Sequence, residues 1–554
     1  MPFLVRGATS ATLTLAIVLA LPAPARAWTT SNGTYTTDGS QGDVTDAANH
    51  ASPGDVVLLP AGTFVWGGGP VSPVSYFPVA VTLKGAGPDQ TTIQIADGGP
   101  TYTTGIITLY APVTVRDLTI AQGGHANTTA FATASNGTND STGWRITNVV
   151  YNSAAQAGYF VYAETYGLID SCTVNAGGGS DELIFTRGPA DSWQTPSSLG
   201  TAGAVYVEDT TFNNAGYVSD FNSNARGVVR FCTINGPMKV DSHGVASNSP
   251  PRSARQTEVY GNHWTMKTGA YAAMELRGGT GVVFDNLGDN PQSDWLFLED
   301  YGYQAQWPNF NNTFQTPLDY PITDQIGVGQ DPKKGGSEPY YVWNNLLGGA
   351  PWARTLKTPA DGAIALYDQQ ANTDAGFTEP DVIQADRDFF WQGASFDGSS
   401  GVGRGTAAEM KALTPTKTGV GFWVTDEGSW NQKLPPNTSG QLYVWNGTAW
   451  VLRYTPYTYP HPLRGISSSL DGGVDGDAGA EPDASTGHGG GGHGSSTAAG
   501  GEGGATSKEA GSKGGCSYAA APSTATATTG LYLVLVACLR RRSRASQKRR
   551  PQRG

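Results

Sequence analysis

Four cysteines are spread over 554 residues, and only 14% of the chain is charged. Lys and Arg number 34 against 46 Asp and Glu, giving a formal charge of −12. That shortage of cations argues against nucleic acid and against general attraction to anionic polymers, while leaving room for a local basic groove. Long apolar runs are also missing. Residues 11–21 and 531–539 are apolar, but both fall short of the ~20 residues a stable transmembrane helix needs. What is plentiful is Gly (75), Pro (34), Tyr (24), Phe (18) and Trp (14). This is the composition of a turn-rich, extracellular all-β chain.

One phrase recurs: a β-branched residue, a Cys, Asn or Thr three later, and an apolar residue two further on. It occurs as Ile169-Cys172-Val174, Val207-Thr210-Phe212, Val229-Cys232-Ile234, Val259-Asn262-Trp264 and Val342-Asn345-Leu347. Degenerate copies are Val115-Leu118-Ile120 and Ile146-Val149-Tyr151. Self-similarity at a period of roughly 20–50 residues marks a solenoid whose coils bury their inner faces by stacking. Short β-rich units without helical periodicity make it a parallel β-helix, expected over residues 28–403. Cys172 and Cys232 share one corner, but the Thr210 coil separates them by two strand spacings, about 9.6 Å. That exceeds the ~7 Å a disulfide can span, so two buried free thiols are expected.

The two ends are not part of the solenoid. Arg6, the apolar stretch 11–21 and Ala25-Arg26-Ala27 have the order of a secretory signal, placing cleavage after residue 27. Residues 466–514 are low-complexity Gly, Ala, Ser, Asp and His, a flexible tether by composition. Its acidic stretch 471–483 loosely suggests Ca2+ ligands but lacks the spacing of a binding loop. Residues 515–554 hold Gly515-Cys516-Ser517, the apolar run and Arg540-Arg541-Arg542. This tail resembles the sorting signal of myxobacterial surface proteins. The resemblance implies a sorting role for Cys516 and anchoring at the cell surface or outer membrane of a Gram-negative bacterium.

At the start of the solenoid, residues 43–51 form a short candidate helix with Asp43 as N-cap and Val44, Ala47, Ala48 and Ala51 on one side. Pro53-Gly54-Asp55 and an apolar strand ending in Pro60-Ala61-Gly62 follow. Together with the coil pattern over about residues 40–400, this resembles the pectin-lyase-like right-handed parallel β-helices. The resemblance implies a helix that plugs the open end, and it carries no catalytic signature. Residues 404–465 are expected to close the far end as a small β cap, with a helix near 407–413 and a hairpin at 441–452 turning at Asn446-Gly447.

A second register appears when coils are aligned on a Gly. Alternate strand residues before it read Phe185/Arg187, Asn224/Arg226, Asp241/His243, Glu275/Arg277 and Glu299/Tyr301 on one face. This alignment predicts an outward column of Asp241, Glu275 and Glu299, with Lys239 and Asn222 beside it and Asp220 at its edge. Extra sequence at 189–201, 245–254 and 328–338 follows the same strand and is expected to wall that face into a groove.

Two chemistries suit the column. In β-elimination from a uronate, Arg226 or Arg277 neutralises the sugar carboxylate and His243 or Lys239 takes the C5 proton. In glycoside hydrolysis, Asp241 and Glu275 act as the carboxyl pair at roughly 5 Å, a spacing that implies retention. Asp241 and Glu299, at about 10 Å, would suit inversion. Asp241-Ser242-His243 resembles the Asp-x-His of alginate epimerases, which share the fold. Only those two residues match and the surrounding tyrosine motif is absent. No paired-Asp motif like that of polygalacturonases is present, which counts against hydrolysis. Stacked opposite charges also stabilise neighbouring strands without any catalysis. The expectation is therefore a polysaccharide partner bound by Asn222, Asn224, Arg187, Glu299 and Tyr301, with lyase chemistry at His243, Arg277, Arg226, Asp241, Glu275 and Lys239. The competing class is a non-catalytic adhesin or matrix scaffold. Nothing in the sequence sets the oligomeric state.

Overall fold

A computed structural model describes residues 27–465 apart from 69–73, 97–104, 123–127, 135–139, 154–157, 178–181, 215, 245–252, 266–272, 290–295, 301–325, 330–335, 348–349, 352–363, 369–383 and 435–438. The secretory stretch, Cys516 and the rest of the tether and tail lie outside the described residues.

Within these bounds the chain is a parallel β-helix. Each full coil contributes three strands. In one coil, Gly216–Phe221 belongs to a ten-stranded sheet, Arg226–Arg230 to a second face, and Thr233–Asn235 to a third. The coil repeats because one residue between the second and third faces adopts a left-handed conformation. Asp117, Asn148, Ser171, Asp209, Phe231, Gly261, Asp285 and Asn344 do so in successive coils, with φ of 48–68°. Asn, Asp and Gly tolerate that region best, and most of the corners use them.

The residue after each corner is the ladder residue expected from the sequence. Ile169, Val207, Val229, Val259, Val283 and Val342 pair in register on the second face. Cys172, Thr210, Cys232, Asn262, Asn286 and Asn345 follow their corners and are all buried. The Asn262 side chain donates to Asn286 Oδ1 (3.0 Å) and to Val229 O (2.9 Å). Asn286 donates likewise to Asn345 Oδ1 (2.9 Å) and Val259 O (3.0 Å). The Asn286 coil is absent from the sequence repeat because Gly288 stands where the phrase has an apolar residue. Cys172 and Cys232 are free, with the Thr210 coil between them. Burial pushes both thiols well above the usual range.

The inner sides of the three coil faces form one apolar core running from Val44 to Trp391. Its N-terminal end is covered by the helix Gln41–His50, which buries Val44, Ala47 and Ala48. The N-cap is Ser40, whose side chain accepts from Asp43 N, rather than Asp43 itself. Asp43 instead sits in the first turn and accepts from Trp28 N and Asp38 N.

The C-terminal region departs from expectation in position. The hairpin (Gln441–Trp445 with Trp450–Tyr454) and helix Ala407–Ala412 are present. However, this region lies along the flank of the second face rather than over the end. Leu168, Tyr206, Val228, Tyr260, Phe284, Tyr341 and Trp343 point outward from six successive coils and pack against Trp423, Trp430, Leu442, Tyr454 and Tyr459. Arg230, fully buried, fixes the contact: it pairs with Glu208 at 2.7 Å and donates to Tyr457 O (2.7 Å) and Thr458 O (2.9 Å). Apolar residues on both faces of these strands require a second covering layer, and residues 402–465 provide it.

Candidate functional site

The outer face of the ten-stranded sheet carries the charged patch. Pairing fixes one column as Tyr162, Phe185, Asp220, Asp241, Glu275 and Phe297. One step further along the strands, the same register aligns Arg187, Asn222, His243, Arg277 and Glu299. Asp241 and Glu275 are neighbours as expected. Glu299 is not in their column: Phe297 is the partner of Glu275, and Glu299 lies two residues on. Tyr301 lies outside the described residues.

The coil at 216–227 corrects the Gly-based alignment. Asp220, expected at the edge, is the residue paired with Asp241, and Asn222 stands beside it. Asn224 falls in the following turn at φ 64°, and Arg226 opens the strand of the second face. The Arg226 guanidinium donates to Ser192 O (3.1 Å) and Thr195 Oγ1 (2.7 Å) of the loop 189–201. Arg255 engages the same loop through Ser192 O and Thr195 O, and its other nitrogens pair with Glu338. That loop is therefore held over the corner next to the second face, and Arg226 braces it rather than joining the carboxylate column. Most of the 245–254 and 328–338 insertions lie outside the described residues.

The core of the patch is a set of ion pairs. Arg277 donates to both oxygens of Asp241, the Nε contact being 3.1 Å, and its Nη2 lies 3.8 Å from Glu275. Lys239 is hydrogen-bonded to Glu275 and lies 4.0 Å from Asp241. Asp241 is 1% exposed and Glu275 3%, so these charges hold one another in place of water. Lys239 also lies 4.3 Å from the centroid of the Tyr217 ring. Asn222 donates to Asp220, and His243 Nδ1 sits 2.9 Å from Gly244 O.

Protonation follows from this crowding. Burial, then the Asp241 charge one strand away, pushes the Asp220 carboxyl well above the usual range. Burial, then Asp220, pushes Glu182 up to about 7. Burial, then the Arg277 cation, lowers the His243 pKa. Burial opposes the Lys239 ammonium, but Asp241 and Glu275 outweigh it and raise its pKa. The patch thus brings together a carboxyl whose pKa is raised, an imidazole whose pKa is lowered and two cations. Sequence reasoning missed Glu182, Tyr217 and the central place of Asp220. Among the described residues no group of three or more His, Cys, Asp or Glu is arranged to hold a metal ion.

No protein-family model matches the chain, and no curated protein matches it. Three solved structures are similar. An alginate lyase from Paenibacillus sp. str. FPU-7 covers 48% of this chain and 97% of its own, at 13% identity and a TM-score of 0.29. A PL6 family polysaccharide lyase from Pseudopedobacter saltans covers 62% and 95%, at 13% identity and 0.34. The catalytic domain of a GH87 alpha-1,3-glucanase in complex with nigerose covers 61% and 65%, at 11% identity and 0.28. At that level of likeness none of the three assigns a residue or a substrate to this chain.

Proposed function

We propose that this chain is a secreted, surface-held β-helix protein that binds an acidic or matrix polysaccharide on the outer face of the ten-stranded sheet and cleaves it by β-elimination. The observation that carries the proposal is the convergence of Arg277 and Lys239 on Asp241 and Glu275 across adjacent coils, with His243 two residues beyond Asp241 on the same chain segment. Arg277 and Lys239 supply positive charge for a uronate carboxylate, whose enolate-like charge grows as the C5 proton leaves. His243 is the better base, since its lowered pKa keeps the imidazole neutral near pH 7. Lys239 is held charged by its carboxylate partners and suits an electrostatic role. The raised pKa of Asp220 supports it as the acid that protonates the departing glycosidic oxygen. In balance, His243 takes the C5 proton, the C4–O bond breaks, a C4=C5 double bond forms and O4 gains the Asp220 proton. Surface attachment through the Cys516 tail belongs to the same proposal and rests on the order of that tail's three parts.

A second reading is favoured by the closed pairs Arg277–Asp241 and Lys239–Glu275. A purely structural charge ladder would have the same pairs, and the chain would then be a non-catalytic adhesin or scaffold. The test is incubation of the purified protein with a panel of uronate polymers while following the ultraviolet absorbance of the unsaturated product. Lyase chemistry predicts a signal that His243→Ala abolishes while the fold is kept. Polymer binding without any product would leave the scaffold reading standing.

A further inference from the structure

The charged patch occupies only the middle of its sheet. Toward the N-terminal end, the outward column continues from Tyr162 through Ala132 and Thr108 to Tyr76. Tyr76 is 39% exposed, one of six large hydrophobic side chains left open to solvent among the described residues. It stacks on Tyr110 with ring centroids 5.7 Å apart at 23°. Ala132, and Ala134 just past the end of its strand, are small side chains between this pair and the rings of Tyr162 and Phe185. Those two rings stack at 5.4 Å and 7°, and the exposed Arg187 guanidinium lies 5.5–5.8 Å from their centroids. From Asp220 toward the N-terminal end, the strip therefore runs in the order exposed cation over buried rings, small and largely buried floor, and Tyr76 open beside a half-buried Tyr110.

We infer that this strip is an extended sugar-binding track, which takes further units of an acidic polysaccharide along the solenoid axis and ends in a stacking subsite on Tyr76 and Tyr110. The inference rests on the proposed polysaccharide reading and deepens it. Continuity supports this occupant: strip and patch share one sheet face and one strand register. Tyr76 lies six strand spacings from Asp241, about 29 Å, a distance that only a polymer of several sugars spans. A pyranose presents an apolar C–H face to an aromatic ring and hydroxyls to its rim, which suits a tyrosine with an open face. Arg187, over the rings and exposed, is open to pair with a carboxylate. A lone exposed tyrosine needs no explanation, but a stacked pair in register with a charged patch does.

Calorimetric titration of the full chain with oligouronates of graded length, dimer to decamer, tests this. Long oligomers should bind more tightly than short ones. Tyr76→Ala should weaken long-oligomer binding roughly 2–10-fold, the value of one aromatic contact, and leave dimers unchanged. Tyr76→Phe should restore the affinity, since the stack needs the ring and not the hydroxyl. Equal affinity for all lengths, or no change in Tyr76→Ala, would overturn the track and leave the polysaccharide reading intact. If no oligomer of any length binds, that reading falls and the track falls with it.

Discussion

At the residue scale, Asp220 is the group whose environment matters most. Its folded pKa is raised, so the folded state keeps a proton that the unfolded chain releases above about pH 4. The stabilising contribution is full below that pH and is lost as pH rises toward the folded value. The slope is up to about 1.4 kcal/mol per pH unit for each such group. Glu182, raised to about 7, and Glu258, raised to about 6, act in the same sense. His243 and His461, both with lowered pKa values, oppose this trend up to about pH 6.5, so urea midpoints should fall between about pH 6.5 and pH 8. Asp220→Asn should fall less steeply than the parent, and equal slopes would mean that the carboxyl ionises normally. The patch also corrects an expectation of exposure. Arg277 is 9% exposed and paired with Asp241, so its loss would report on stability as well as on chemistry, and His243 is the cleaner probe.

At the element scale, the coil was legible because its corner imposes a chemical spacing: a β-branched strand residue, a left-handed corner, a ladder residue and an apolar residue. That pattern located seven of the second-face strands by number and failed where one member changed, at Val283-Asn286-Gly288. The Gly-based register failed for a different reason. The strand Gly216–Phe221 has a register shift between Tyr217 and Ser219 and turns through Asn222-Ser223-Asn224, so Gly227 belongs to the next strand and not to that turn. A count back from it put Arg226 where Asp220 and Asn222 belong. The amide ladder makes its own prediction. Asn286 bonds Asn262 on one side and Asn345 on the other. Asn286→Ala leaves a buried amide on each side short of a partner, and a loss of about 2–4 kcal/mol in a denaturant titration is expected. A loss below about 1 kcal/mol would show that the ladder is replaceable packing.

At the scale of the whole molecule, the flank plate is what the sequence hid. Its signal was present in adjacent apolar residues such as Val228-Val229 and Val282-Val283-Phe284, which alternate inward and outward and so need cover on both sides. Plate and coils meet at Arg230–Glu208, with no exposure on either side chain. Glu208→Gln leaves that guanidinium buried without its counter-charge, at a cost of about 3–5 kcal/mol. Hydrogen exchange should then show residues 441–465 losing protection ahead of the coil strands. Uniform loss would mean that plate and solenoid unfold as one unit. The last described turn, Pro462–Gly465, is pinned by Arg464 to Asp209, Glu208 and Asp170. Any tension on the chain beyond Gly465 therefore enters the molecule at its flank, in the coils of Asp170 and Glu208, and not at an end of the stack. The first bonds to bear it are the Arg464 ion pairs and the hairpin of the plate, which can peel and dissipate the load. The coils, whose hydrogen bonds run along the solenoid axis, lie behind that mechanical fuse, and the sheet carrying Asp220, Asp241 and Glu275 keeps its register while the plate yields.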